Sequence, residues 1–475
     1  MTYDLIVVGT GFASSFFLLE YLARAPAARR VLVLERGWRE PRSWQLETRK
    51  VSRIVSEKTI RREGLKEKEW KFTLAFGGGS NCWFGATPRL LPNDFRMKSL
   101  YGVGDDWPVS YQDLEPYYER AEEVMAISGS SDRAPYPRRR PHPQPPHRLS
   151  DPDRLLANAY PGRYFPQPTA RARVAVGRRP ACCANGTCGL CPIDAKFTIE
   201  NGLSEVYDDP RLTLRVGTTV RAIDVTNNRA TGLTVEKGGR IEHVSGDLVV
   251  LGAGAVFNAA VLLRSNVPHP LLGARLFEQL SITADVDLAG VDNFQGSTAF
   301  TGHGYMLYDG PHRSRHAACL IESWNRPDQL RWEPGRERQL LHLKFLIEDL
   351  PQVRNAVVVG PDDLPVLRFF DYDTYAYRGI EAIANRLDHV LAPLPVERVS
   401  LDPQPASTEG HILGTVVMGN DPETSVVDRW MVHHRIRNLL VLGGSAFPTG
   451  SPSNPTLTIS ALSLWSATDL LNSQA

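Results

Sequence analysis

"DLIVVGTGFASSFFLLEYLARA", residues 4–25, decides the fold. Residues 4–8 form an apolar, β-rich run that stops at Gly9, and a helical pattern follows from Phe12 to about Arg24. "RVLVLERG" at 30–37 supplies a second strand ending at Glu35. Strand, glycine turn, helix and strand make a parallel βαβ unit. Gly9 and Gly11 permit a tight turn and let backbone amides approach a pyrophosphate at the helix N-terminus. Ser14 stands where a third glycine is usual and is small enough for close helix–strand packing. Glu35 lies 26 residues after Gly9, where a carboxylate accepts from ribose hydroxyls and disfavours a 2′-phosphate. The motif therefore points to FAD or NAD rather than NADP. "GDLVVLGAGAVFNAAVLLRS" at 246–265 repeats the strand–glycine–helix pattern, as does "LLVLGGSAFPTG" at 439–450 before a helical run at 455–471. Such units at both ends and in the middle predict one sheet assembled from distant segments.

The chain's 475 residues allow two domains with substantial cores. Its 54 basic and 53 acidic residues leave a net charge of +1, which gives no global attraction to nucleic acid or an anionic membrane. The apolar start lacks a basic leader and a small-residue cleavage site, and Glu20 interrupts it. No apolar run reaches the roughly 20 residues of a membrane span. The expectation is a cytoplasmic protein, in which disulfides are uncommon. "APYPRRRPHPQPPHRL" at 134–149 cannot form a regular helix or a central strand, so residues 129–180 are expected to be an extended surface arm. Residues 270–405 alternate strand-like runs such as "HLKFLIEDL" and "RNAVVVG" with turns, fitting an antiparallel sheet plus helices. The domain reading is a discontinuous dinucleotide domain, 1–270 and 405–475, carrying the arm 129–180, with a substrate-binding domain at 271–404.

"ACCANGTCGLCPIDAK", residues 181–196, gathers Cys182, Cys183, Cys188 and Cys191 from a chain with six cysteines. The spacing leaves three readings open. Structural zinc fits a vicinal pair poorly. A turn of packed thiols, with or without one disulfide, is the second. An iron–sulfur cluster, held by Cys182 or Cys183 with Cys188 and Cys191, is the third.

"FGGGSNCWFGATPRLLPNDF" (76–95), "DWPVSYQDLEPYYERAEEVM" (106–125), "EDLPQVRNAVVV" (348–359), "HILGTVVMG" (411–419) and "NLLVLGGSAFPTGSPSNPTLT" (438–458) occur in this order. Together they resemble the glucose–methanol–choline (GMC) flavoprotein oxidoreductases over almost the full length, most weakly at 270–400. The resemblance implies an α/β fold: a Rossmann-like FAD-binding domain and a substrate domain on an antiparallel sheet with helices. "GGSAFPTGSPSNPTLT" and the "ATP" after "SNCWFG" look closest to the pyranose oxidase and FAD sugar dehydrogenase branches. That implies oxidation of an alcohol on a sugar, aminosugar or other polyol to a carbonyl, by hydride transfer to flavin N5.

By resemblance His411 is the base, and Asn454 bonds the substrate oxygen as the alkoxide develops. The same resemblance places Gly9, Gly11, Ser14, Glu35 and Arg36 at the dinucleotide. Gly78, Ser80, Asn81 and Cys82 would run past the isoalloxazine, Val220 would touch the adenine, and Ala253, Gly443, Gly444, Pro455 and Thr456 would complete the site. Cys82 stands where pyranose oxidases carry a flavin-bonding histidine, so a non-covalent flavin is expected. His433 and His434 are read as structural, and Trp324, Phe369 and Tyr372 are candidates for an aromatic platform. Bacterial FAD-dependent glucose dehydrogenases look similar around the cysteines, which implies a [3Fe-4S] cluster on Cys182, Cys188 and Cys191. The final interval is one residue shorter here. Dioxygen or an electron carrier is the expected acceptor. The alternatives are a same-fold dehydrogenase passing electrons through such a cluster, and a non-redox cyanohydrin-type lyase.

Overall fold

The structure, a computed structural model, describes residues 2–132 and 134–474. Five short strands, all but the last of them fully apolar, form a parallel sheet in the order Leu439–Val441, Val249–Leu251, Leu5–Val8, Val31–Leu34, Leu212–Arg215. The first strand of the chain is thus central, flanked by Val31–Leu34 of its own βαβ unit and by Val249–Leu251 from more than two hundred residues away. All of its residues are buried, as a sheet covered on both faces requires. The helix Phe12–Arg24 packs against the last helix, Thr456–Gln474, closing one face. Gly9 has φ +90°, and a Cβ there would lie 2.6 Å from the Gly252 carbonyl oxygen, so neighbouring strand ends meet at a distance only glycine permits. Ser14 fits the third motif position because its Oγ bonds the Val8 carbonyl at 3.2 Å, in space that a Cβ on Gly252 would occupy.

The second layer is a six-stranded antiparallel sheet in the order Val396–Asp402, Leu280–Leu288, Leu340–Ile347, Cys319–Trp324, Phe300–Gly304, Tyr164–Pro166. Its register aligns His303, Glu322, Lys344 and Thr283 in one cross-strand row. Phe300, Trp324, His342 and Asp285 make the next row. Side chains two apart on a strand share a face, so both rows look the same way.

The edge strand Tyr164–Pro166 comes from the stretch expected to be a surface arm, and this corrects that expectation. The stretch also contains the helix Asp151–Ala159, started by a Ser150/Asp153 capping box. Its proline-rich part is irregular but packs inward, with His142, His147 and Gln144 buried. The cause is Glu122 on the helix Tyr111–Met125. Its buried carboxylate takes Arg89 at 2.8 Å and Arg138 of the arm at 2.7 Å.

A second buried cluster fastens the antiparallel sheet to the N-terminal half. Arg313 is fully buried and pairs with Asp94 at 2.8 Å and with Glu348, just past the strand Leu340–Ile347, at 2.7 Å. Removing one member of such a group leaves buried charges without partners. Arg313→Met is expected to lower unfolding free energy by about 3–5 kcal/mol. Urea unfolding should show this as a lower midpoint with an unchanged slope.

Candidate active site

A cavity of about 630 Å³ runs from the C-terminal edge of the parallel sheet to the charged face of the antiparallel sheet. At its first end lie Gly9, Gly11, Glu35, Arg36, Val220 and Ala253. Gly78, Cys82, Gly443, Gly444, Pro455 and Thr456 continue the wall toward the second end. The helix Phe12–Arg24 begins here with Gly11 at its N-cap, no side-chain cap and no acid in its first turn. Its first amides are therefore left for a ligand. The helices Gly254–Arg264 and Thr456–Gln474 begin at the same wall. Three helix N-termini facing one cavity favour an anion such as a pyrophosphate. A Cβ built on Gly11 or Gly79 would meet no atom within 4 Å, so backbone is open to the cavity at both. This end fits a dinucleotide.

Glu35 is largely committed within the chain. Its Oε2 accepts from the amide and hydroxyl of Thr10, at 3.1 and 2.8 Å, and its Oε1 from the Gly37 amide at 2.8 Å. Burial pushes its pKa up, and these donors oppose the rise. Oε1 retains room for a further donor such as a ribose hydroxyl. Three expected contact residues do not reach the cavity wall. Ser14 bonds Val8, Ser80 bonds Gly77 and receives the Ile199 amide, and Asn81 donates to Phe76. These side chains hold the backbone behind the wall, because a tight glycine-rich turn needs its amides and carbonyls satisfied.

The second end centres on His411. Its Nδ1 lies 2.6 Å from Gln279 Oε1. The Gln279 amide cannot be reversed, because its Nε2 donates to the carbonyls of Ser451 and, at 2.7 Å, Ser453. An amide oxygen only accepts, so Nδ1 carries the proton and Nε2 is bare. Nε2 makes no hydrogen bond among the described residues, and the ring lines the cavity. Burial lowers the pKa of His411, against the fields of Glu409 and Glu278, so the ring is neutral near pH 7. Glu278, beside Gln279, holds the backbone: its Oε1 accepts from the amides of Glu409 and His411 at 2.8 and 2.9 Å. Lys68, buried within an aromatic cage of Trp70, Phe369 and Tyr372, pairs with Glu278 Oε2.

Asn454 lies on the same wall, 8% exposed, and its amide makes no hydrogen bond among the described residues; Oδ1 is buried and bare. A buried amide left unsatisfied is costly unless a ligand completes it. The facing wall carries Glu322, Trp324 and Lys344, with Lys344 paired to Glu409. Arg171 and Gln167 complete it, joined by a 2.6 Å bond from Arg171 Nη2 to Gln167 Oε1.

Several expected residues lie elsewhere. Phe369 and Tyr372 belong to the Lys68 cage, so of the three platform candidates Trp324 alone meets the cavity. His433 Nδ1 accepts the amides of Arg435 and Ile436, and His434 bonds Ser425. Cys82 lines the cavity as a free thiol 3.1 Å from Thr73 Oγ1. The cysteine stretch corrects the cluster expectation. Cys182 turns to Thr298 at 3.7 Å, Cys188 packs with Ala299 and Phe300, and Cys183 is exposed. Among the described residues no three metal-ligating side chains gather into a set that could hold an ion, so the iron–sulfur reading on Cys182, Cys188 and Cys191 has no support. Glu278, Gln279, Glu322, Lys344, Gln167 and Arg171 were absent from the sequence-derived site. Their only signal was polar residues inside strand-like runs, such as Lys344 in "HLKFLIEDL".

Comparison with known proteins adds a family match over the C-terminal part of the chain. Residues 353–463, which contain both His411 and Asn454, match the C-terminal GMC oxidoreductase model. The fructose dehydrogenase large subunit of Gluconobacter japonicus is 28% identical, over 83% of this chain and 80% of its own. The 6'''-hydroxyparomomycin C oxidase of Streptomyces lividus is also 28% identical, over 97% of this chain and 90% of its own. The crystal structure of pyridoxine 4-oxidase from Mesorbium loti shares the fold, with a TM-score of 0.70 at 18% identity, over 98% of this chain and 99% of that one. Residues 353–463, carrying both site residues, thus match the C-terminal GMC oxidoreductase domain, and the chain as a whole shares its fold with pyridoxine 4-oxidase.

Proposed function

We propose that the chain is an FAD-dependent enzyme that oxidises an alcohol group on a sugar, aminosugar or other polyol to a carbonyl. One observation carries the reading. A histidine with a bare Nε2 and an asparagine with an unbonded amide share one wall of the cavity whose other end fits a dinucleotide. The uncapped start of the helix Phe12–Arg24, the open backbone at Gly11 and Gly79, and Glu35 would hold FAD. Bound there, FAD supplies the acceptor for the hydride that leaves the carbinol carbon.

The chain's own residues handle the proton and the charge. His411 Nε2 takes the hydroxyl proton, and Gln279, by accepting Nδ1–H, keeps that nitrogen in the basic tautomer. Gln279 is a positioning residue: its two N–H bonds to Ser451 and Ser453 also set the loop leading to Asn454. The Asn454 amide donates to the oxygen as negative charge develops on it. The N-terminus of Thr456–Gln474, at the same wall, favours that charge. Dioxygen or an electron carrier completes the cycle, and relatives bearing both oxidase and dehydrogenase names fit this reading.

Anaerobic flavin reduction by polyols tests the assignment. His411→Ala should keep its flavin yet slow reduction by about 10²–10⁴-fold; a variant retaining a tenth of the wild-type rate would remove His411 as the base. Asn454→Ala should lose about 10²–10³-fold in the same rate, with a smaller change in KM. The pH profile follows from the direction of the His411 shift. The base acts deprotonated, so the rate rises with pH through its pKa, and burial places that midpoint below 6.5. The field of Lys344 adds to the lowering, while Glu409, Glu278 and Glu322 oppose it. Lys344→Met should therefore move the midpoint to higher pH.

A further inference from the structure

On the alcohol-oxidising reading, the sheet wall opposite His411 holds a group that the proton and hydride steps leave unused. Glu322 lines the cavity and is 6% exposed. Its Oε1 accepts from Gln167 Nε2 at 3.2 Å. Its Oε2 makes no hydrogen bond among the described residues.

No cation bonds this carboxylate directly, although His303 Nε2 lies 3.4 Å from its Oε1. Lys344 stands opposite in the strand register, but its ammonium is bonded to Glu409. Arg171 has no carboxylate partner among the described residues, yet it is turned away. Its N–H groups go to Thr298 Oγ1, the carbonyls of Phe84 and Phe300, and Gln167 Oε1. The Gln167 amide stands between it and Glu322. That amide is oriented by Arg171, so its Nε2 donates to His303 Nε2 at 2.7 Å. His303 is therefore an acceptor at Nε2 and neutral. On this wall the one ammonium, Lys344, is taken by Glu409 and the Arg171 guanidinium by neutral acceptors, so Glu322 has no cation bonded to it. A buried carboxylate with one bare oxygen is costly until a donor reaches it, and a cationic donor suits it best. Trp324, two residues on and on the same face, adds an aromatic surface over which Arg326 and Lys344 already lie, at 5.6 and 5.8 Å.

We propose that Glu322 Oε2 receives a protonated amine of the substrate, so that the enzyme prefers amine-bearing sugars or polyols over their all-hydroxyl counterparts. Glu322 is then the specificity residue, and His411 with Asn454 serves the reacting carbinol. A charge-assisted bond of this kind typically contributes tenfold to a hundredfold in selectivity, on the order of its net strength.

The test uses FAD-loaded protein and a panel of aminosugars and amino polyols, each beside its hydroxyl and N-acetyl counterparts. D-glucosamine, D-glucose and N-acetyl-D-glucosamine form one set. The rate of anaerobic flavin reduction gives kcat/KM for each member. The expected result is a preference of at least about tenfold for an amine over its hydroxyl and N-acetyl counterparts. In Glu322→Gln the amine-to-hydroxyl ratio should fall by at least about tenfold, with flavin content and melting temperature showing that the variant is folded. The wild-type comparison stands alone should that variant fail to fold. Flavin reduction with no amine preference, or a preference that survives Glu322→Gln, overturns this inference alone. A flavin that no member of the panel reduces overturns the alcohol-oxidising reading with it.

Discussion

The bond between Gln279 and His411 is the constraint around which the site is organised. One residue ties three segments together. Its oxygen faces His411, its nitrogen faces the carbonyls of Ser451 and Ser453, and its backbone enters the strand Leu280–Leu288. The amide thus fixes the proton on Nδ1, the orientation of the ring and the start of the loop that presents Asn454. Glu278 beside it anchors the backbone of residues 409 and 411, and Lys68 balances its charge. His411 and Asn454, both within residues 353–463, are thus set on one wall by a dipeptide outside that stretch.

The two sheets divide the work around that amide. The parallel sheet brings Gly9 to within a carbonyl of Gly252 and points an uncapped helix at the cavity, which suits a ligand carrying negative charge. The antiparallel sheet lays its polar row across the far wall, where Lys344 is paired with Glu409 and Arg171 is hydrogen-bonded to the Gln167 amide. Low dielectric makes each such pairing consequential. The groups left bare, Nε2 of His411, the amide of Asn454 and Oε2 of Glu322, are therefore the informative ones.

The nucleotide end was legible in the sequence because its signals are local. Gly9, Gly11 and Glu35 sit within one βαβ unit, and backbone conformation and strand length are written in adjacent residues. His411 and Asn454 were reached only through a resemblance, since a lone histidine in a loop carries no physical signature of its role. Gln279 was not legible at all. It lies 132 residues from His411, and the antiparallel bridge between Phe277 and Leu413 brings the two together. Glu322 and Lys344 were hidden likewise, because their meaning depends on cross-strand register. The arm was misread since proline-rich composition reports the lack of regular structure and not the pull of a buried Glu122 on Arg138. The cysteines were ambiguous because spacing along the chain does not say which way each thiol turns.

The tautomer of His411 is the central claim, and nitrogen NMR of the histidine-labelled, FAD-loaded protein measures it directly. Twelve histidines are present, and a His411→Asn sample identifies the resonance pair. The account predicts, at pH 7–8, one pyrrole-like nitrogen at Nδ1 and one pyridine-like nitrogen at Nε2. A proton on Nε2, or two protonated nitrogens in that range, would contradict it.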